Sequence, residues 1–548
     1  MWVQTYAPVL GSTGVSALVA VLPIALTFVL LGIFRRPAHV ATLAGFATAF
    51  VLATVIWGMP VRLAIAASLL GAAVALVPLL WTLVAAVWFI NLLTHSGQFE
   101  IVKRSLAALT ADRRLQTLLV GYGFIGLLEG LVAMGSPVAI GAAMLAGFGF
   151  PPIAASVAAL IGFSHPGVWG PMGLPVTVLQ SVTSGIDLDT LGAMIGRQVP
   201  WLTFVCAPVM VWAVAGWRGL RGVWPITLAT GFAFAAVTFL TSNYLTLYVA
   251  GSAGALAAIL TTVAGLGLWR PATLWRFPGD PAVDAAVGQR LRWTETVRAW
   301  APIALLIAII GLVSGTGMRD VLAAVATIDL MWFGLHDLVT SLPPVVAAPT
   351  PVAAVYRQPL LVLPGTIVLL TGLVSLPLLR ITAAEAGRVY ARTVRQLRVA
   401  ICTTVSIIAL GYVMNYAGLS LTIGLALAVS GPWFPAVAVL LGVIGNAVAG
   451  TNTASNALFG NLVAVAGEQA SASPVFAASS LAAGGSMGKA LAPQSLALAA
   501  GATGRAGSEG ELLRRVAAIV LVLSLGFAAY AMAQHHLFPW TIPLGDLP

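Results

Sequence analysis

The chain has 548 residues, of which 60% are hydrophobic and only 8% charged. A soluble domain carries about 25% charged residues, so this chain cannot cover its own surface in water, and lipid must be the solvent for most of it. The formal net charge of +10 does not point to nucleic acid, because the Arg and Lys residues fall in short loops between apolar runs, where they orient a membrane protein.

In chain order, runs long enough to cross a bilayer, about 20 apolar residues each, lie near 14–34, 40–58, 64–93, 116–134, 199–216, 223–241, 245–268, 300–316, 360–379, 398–416, 434–449 and 513–533. Apolar but Gly/Pro-broken stretches lie near 137–195, 418–432 and 457–500. The length rule gives roughly 12 to 14 spans. The first run, Val15 to Phe34, has no basic region before it and Arg35-Arg36 after it. That is the reverse of a cleavable signal, so this segment is expected to stay.

Arg35-Arg36, Lys103-Arg104 with Arg113-Arg114, Arg218/Arg221, Arg270 to Arg298, Arg380 to Arg398 and Arg505 to Arg515 are expected in cytoplasmic loops, which places both termini on the other side. Residues 1–269 and 299–548 read as two membrane halves joined by a charged cytoplasmic linker, 270–298. Five prolines between Ser341 and Pro359 exclude a regular helix there. Cys206 and Cys402 each sit in an apolar run and read as neither a disulfide nor metal ligands.

The halves repeat a pattern. Gly123-Phe124-Ile125-Gly126 and Gly442-Val443-Ile444-Gly445 each precede a small, polar break: Met134-Gly135-Ser136-Pro137 in one half, Thr451-Asn452-Thr453-Ala454-Ser455-Asn456 in the other. About thirty residues on, a second break follows in each. One is Ser164-His165-Pro166-Gly167, continuing to Gly170–Pro175. The other is Gly484-Gly485-Ser486-Met487-Gly488-Lys489, continuing to Pro493-Gln494-Ser495. Interrupted apolar segments at corresponding positions of two halves point to a transporter's midplane site. The fold class that follows is all-α and polytopic, in two pseudo-repeated, inverted halves with broken or re-entrant helices.

Glu129 and Lys489 are the ionisable residues that cannot be assigned to loops. A charge at mid-bilayer costs roughly 2.5–3.5 kcal/mol on insertion scales, so it faces a cavity or a partner. Glu129 reads as a proton-carrying carboxylate, and the blander alternative is a structural ion pair with Lys489. Lys489 could neutralise a substrate carboxylate or snorkel to an interface. His165 could titrate near neutral pH or simply pack. Arg197 reads as a helix-start residue near the interface. Gly135, Ser136, Thr451, Asn452, Ser455 and Asn456 read as substrate-binding, because hydroxyls, amides and freed backbone N–H groups at helix breaks attract a carboxylate. Gly121–Gly126 fits GxGxxG and Gly484–Gly488 fits GxSxG, but neither has the βαβ or α/β surroundings those motifs need.

These same residues resemble the lactate permease family, which also includes glycolate carriers. The resemblance runs nearly end to end, from Trp2–Tyr6 and Thr94–Phe99 through Leu128-Glu129-Gly130, Gly135–Ile140, Gly170–Pro175, Asn415–Ser420, Thr453–Phe459 and Gly488-Lys489 to Pro493-Gln494-Ser495. It implies a proton-coupled symporter of the inner membrane with inverted halves, importing lactate or a related 2-hydroxy monocarboxylate such as glycolate. The proton sites would be Glu129 and, second, His165. Asn452 stands where the family usually has Asp, Ser136 replaces an Ala, and His165-Pro166 with Trp169 departs from a Thr-Ala-Pro-Val-Ala-Phe-like run. Loss of the Asp shifts weight onto Glu129 and keeps a sodium-coupled carrier of other organic anions as the alternative. The expected partners are the monocarboxylate and the bilayer, with no nucleic acid, no catalytic residues, no metal and no cofactor beyond the coupling ion. An intramembrane enzyme using Lys489 or Ser486, and a passive channel, are the rivals from other classes.

Overall fold

A computed structural model describes all residues except 35, 132–134, 184, 270, 272, 279–291, 316, 347 and 544–548. Most of the expected linker 270–298, Arg35 and Met134 therefore lie outside the described residues, while the linker's last residues open the helix Trp293–Gly315. Among the described residues, ten helices are long and apolar enough to cross a membrane, from Thr13–Leu31 to Glu509–Leu537. Shorter apolar helices, among them Ser136–Gly147 and Pro152–Ser164, supply the broken segments.

Two hairpins and two broken helices position the site. The first hairpin descends through the consecutive segments Arg113–Gln116, Thr117–Phe124 and Ile125–Leu131, and returns as Ser136–Gly147. Its middle segment is wound as a π-helix, a winding often found near functional sites. The second hairpin is Phe434–Ala449 followed by Asn452–Gln469. Left-handed glycines sit at the reversals, Gly135 at φ +77° and Gly450 at φ +78°. An L side chain resists that conformation, and a methyl on Gly450 would also collide with the Gln494 amide. The first broken helix is Pro152–Ser164, an irregular stretch, then Leu174–Val182. The second is Pro474–Gly488, the turn Lys489–Leu491, then Pro493–Ala502.

The two systems exchange arms. The return arm Ser136–Gly147 packs on Pro493–Ala502, and the return arm Asn452–Gln469 packs on Leu174–Val182. Glycine allows the closest approach. Gly442, Gly484 and Gly488 bring the helices Phe434–Ala449 and Pro474–Gly488 backbone to backbone, leaving no room for a β-carbon.

Outside this core, strands not foreseen in the sequence gather at one end of the molecule. Trp2–Val3 pairs in parallel with Val339–Ser341, which pairs with Thr350–Pro351, and Thr327–Met331 forms an antiparallel ribbon with Val355–Pro359. The proline-rich stretch is thus strand and loop with no helix in its described residues, in keeping with its five prolines. The Gln469 side chain donates to Pro344 O and Tyr416 Oη to Ala353 O at this same end.

Arg113 and Arg114 are not exposed loop charges: both are buried. Arg114 forms a two-pronged pair with Asp112, 3.0 and 2.6 Å, and donates to Thr273 O at 2.8 Å, while Trp275 N–H donates to Asp112. The buried carboxylate and the remaining backbone acceptors offset the cost of placing this charge inside. Arg197 is likewise not at a helix start. It lies inside Leu188–Arg221 and bonds to Asn243 Oδ1 at 3.0 Å and Thr541 O at 2.8 Å, which fixes the helix against the C-terminal segment.

Candidate functional site

Glu129 sits near the end of the first hairpin's descending arm, 1% exposed, and Lys489 opens the turn in the second broken helix, 6% exposed. The sequence places them 360 residues apart, and the fold makes them partners: Lys489 Nζ donates to Glu129 Oε1 in a direct ion pair. The ammonium also lies 3.9 Å from the centre of the Phe163 ring, whose electron-rich face favours a cation. Its stem packs against Gly167 in the first broken helix, where a β-carbon would press on Lys489 Cδ. One hairpin and two helix breaks therefore converge on a single pair of charges. Among the described residues, Glu129 Oε2 has no hydrogen-bond partner, leaving one carboxylate oxygen free to take up a proton or a donor.

The second cluster lies one turn away along Pro474–Gly488. Asn446 Nδ2 donates both to Asn452 Oδ1 and, at 2.7 Å, to Gly485 O. Asn452 Nδ2 reaches toward Ser486 Oγ at 3.4 Å. Asn446 Oδ1 and Ser455 Oγ are buried without partners among the described residues. Thr451 caps the helix Asn452–Gln469, accepting from Ala454 N–H at 3.1 Å, and is half-buried. These neutral dipoles and the helix terminus behind them suit a negative group or the oxygens of a hydrated ion.

The remaining candidates separate. Asn456 donates to Pro175 O at 2.9 Å and so ties the second hairpin to the first broken helix. Gly135 abuts Leu498 of Pro493–Ala502, and Ser136 opens the return arm beside it. His165 is fully buried and stacked on Tyr122, ring centres 4.3 Å apart, with Phe234 edge-on at 4.9 Å. Among the described residues neither ring nitrogen has a hydrogen-bond partner of ordinary geometry, although the Tyr122 backbone is close by. His165 faces Gly126, one helical turn before Glu129, and forms no ion pair with Glu129 or Lys489.

Asn446 and Phe163 escaped the sequence reading. Asn446 was discernible as an amide in an apolar run six residues before Asn452, whereas nothing in the local sequence marks Phe163 as the ring beneath a cation. GxGxxG falls within the π-wound arm and GxSxG within the helix Pro474–Gly488, so neither builds a nucleotide loop or a nucleophile elbow.

Comparison with known proteins adds relatives along the whole chain. Residues 16–538 match the family described as L-lactate permease. The L-lactate permease of Bacillus subtilis (strain 168) is 33% identical over 562 residues, covering 99% of this chain and all of that protein. Glycolate permease GlcA of Escherichia coli (strain K12) is 34% identical over 553 residues, covering 98% of each. The L-lactate permease of Salmonella typhimurium is 34% identical over 557 residues, covering 99% of this chain and 100% of that protein. A looser likeness is to the crystal structure of the Alcanivorax borkumensis YdaH transporter, with a TM-score of 0.43 and 15% identity over 84% of this chain and 86% of that one.

Proposed function

The chain belongs to the L-lactate permease family, and from that premise we propose that it is a secondary carrier importing lactate or a related 2-hydroxy monocarboxylate such as glycolate together with a proton. Membership makes it a multi-pass permease of the cell inner membrane and not an enzyme. Its relatives are named for lactate and glycolate, which supports that substrate class here.

The observation that carries the coupling is the buried Glu129–Lys489 pair. In the resting state its charges cancel. A proton on Glu129 alone would strand the Lys489 ammonium away from water, and a substrate carboxylate beside Lys489 alone would leave a surplus negative charge. Either imbalance is costly in a low-dielectric interior. Proton and carboxylate arriving together restore neutrality: Glu129 becomes neutral and Lys489 changes partner from Glu129 to the substrate. Electrostatics therefore favours joint entry over entry of either ion alone. The carried unit is neutral, so it escapes the opposition of about 2.3 kcal/mol per 100 mV that a lone anion meets in a cell negative inside.

Around the exchanged carboxylate, Thr451, Asn452 and Ser455 supply dipoles, and Gly135 and Ser136 the N-terminal end of the first return arm. Asn456 keeps the two systems in register. His165 is the second proton carrier in this scheme. The two halves are read as inverted repeats whose hairpins enter from opposite faces, with the first hairpin and the second broken helix meeting at this pair, so that rocking one half against the other alternates access.

A sodium-coupled carrier of other organic anions is the second reading, favoured by the partnerless oxygens Asn446 Oδ1 and Ser455 Oγ, which suit a small hard cation. One experiment separates the two: uptake of labelled lactate into proteoliposomes under an inward proton gradient, with sodium absent. Concentrative uptake that a protonophore abolishes and Glu129→Gln removes is the expected result. Uptake that requires sodium moves the coupling to the Asn446/Ser455 cluster. No gradient-driven uptake of any carboxylate, with either ion, ends the carrier reading.

A further inference from the structure

A second polar cavity, separate from the Glu129–Lys489 pair, lies at the strand-bearing end of the molecule. Its volume is about 220 Å³. Since one water occupies about 30 Å³, it has room for a small carboxylate and a few waters. It touches the irregular stretch of the first broken helix through Met172. There Met172, a buried non-glycine residue, is left-handed at φ +51°, ψ +44°. Such strain in a non-glycine residue persists only where the surroundings impose it, often at functional sites. Gly173 follows at φ +71° and is overlain by Tyr248, which also lines the cavity.

Two guanidinium groups line the same space. Arg319 is held by Asp189 through Nη1 at 2.9 Å, and Arg357 is tethered loosely to Asp329 through Nε at 3.6 Å. A guanidinium has five N–H donors in a planar fork, so one carboxylate contact each orients these groups without saturating them. Thr177 and Gln180 of the segment Leu174–Val182 add polar wall. The Asp189 and Asp329 side chains are more than half exposed. Water screens them, so an incoming carboxylate can compete for the Arg donors at modest cost. The chain alternates across the membrane from the Arg-rich loops, so this end is the outer one under the positive-inside rule.

We propose that this cavity is an outer capture site, where Arg319 and Arg357 bind the carboxylate of the incoming monocarboxylate before it passes Met172 toward Lys489. The assignment rests on the carrier reading above for its ligand, but the site is physically distinct from the Glu129–Lys489 pair. A forked guanidinium selects a planar carboxylate over a spherical anion, and capture at the mouth raises the local substrate concentration.

The test is protection of an introduced thiol. Thr177→Cys is made in a Cys402→Ser chain, leaving buried Cys206 as the other thiol, and intact cells are treated with an impermeant maleimide. The expected result is labelling from outside that millimolar lactate slows several-fold and equimolar chloride or lactamide does not. Arg319→Gln with Arg357→Gln should abolish that protection, and should raise the KM for external lactate about tenfold with Vmax little changed. If Thr177→Cys fails to insert, Gln180→Cys serves as the reporter. Adding Lys489→Met should stop transport yet leave protection intact, which separates the two sites. Failure of the unaltered protein to take up lactate would count against the carrier reading alone. The capture site is overturned by labelling confined to inverted vesicles, by absence of lactate protection, or by protection that survives loss of both arginines.

Discussion

Removing one member of the Glu129–Lys489 pair leaves the other charged and buried, a change that costs about 3–5 kcal/mol in comparable interiors. Glu129→Gln should therefore lower the thermal stability of the purified protein as well as abolish proton-driven uptake. The double variant Glu129→Gln/Lys489→Met removes both charges, so most of the stability should return while uptake stays lost. Thermal unfolding of the four chains in one detergent measures the coupling. Additive effects of the two substitutions would mean that the pair is not a unit. His165 carries a different expectation. With both faces of its surroundings aromatic and no well-formed hydrogen bond, His165→Asn tests its proton role: as a proton carrier its loss shifts the pH profile of uptake. A stability change with an unmoved profile would assign it to packing beside Tyr122.

At the scale of elements, the hairpin reversals depend on glycine. Gly135→Ala and Gly450→Ala each force an L residue into left-handed backbone, at a cost of about 1–2 kcal/mol, and each drives a methyl into the helix Pro493–Ala502, against Leu498 and Gln494 respectively. Both should depress Vmax strongly. Gly147→Ala, at the far end of the first return arm with open space around it, should leave uptake near normal, and transport assays on equal amounts of inserted protein make the comparison. The first hairpin is also anchored at its mouth by the buried Asp112–Arg114 pair and its contacts with Thr273 and Trp275. Asp112→Asn leaves the Arg114 charge without its partner and should destabilise by about 3–5 kcal/mol. An unchanged melting temperature would show that the Thr273 and Gly219 carbonyls suffice.

For the molecule as a whole, the exchange of hairpin arms between halves predicts opposite exposure of the two hairpin mouths. A cysteine at Gly147 should react with impermeant reagent only in inverted vesicles, and one at Ser471 only in intact cells. Both positions are exposed. Labelling of both from one side would remove the inverted arrangement, and with it the alternating-access scheme, while leaving the family assignment untouched.

The sequence by itself determined the solvent, the helical class and the family. These follow from composition, from runs of apolar length and from motifs read one segment at a time. It also marked Glu129, Lys489 and the Thr451–Asn456 cluster, because a charge or a knot of amides in an apolar run is conspicuous without any knowledge of neighbours. Tertiary structure alone decided the partnerships. Only folding could say that Glu129 meets Lys489 over Phe163, that Asn446 holds Asn452, that Asn456 serves a carbonyl of the other half, or that Arg113 and Arg114 are buried instead of marking a loop. The short strands were hidden for the same reason. Two-residue pairings such as Trp2–Val3 with Val339–Thr340 have no periodicity of their own and exist because distant helices bring their ends together. Hydropathy is a property of each residue with its solvent, and so is legible along the chain; electrostatic pairing and close packing are properties of two residues in space, as in the Glu129–Lys489 pair, 360 residues apart in the chain.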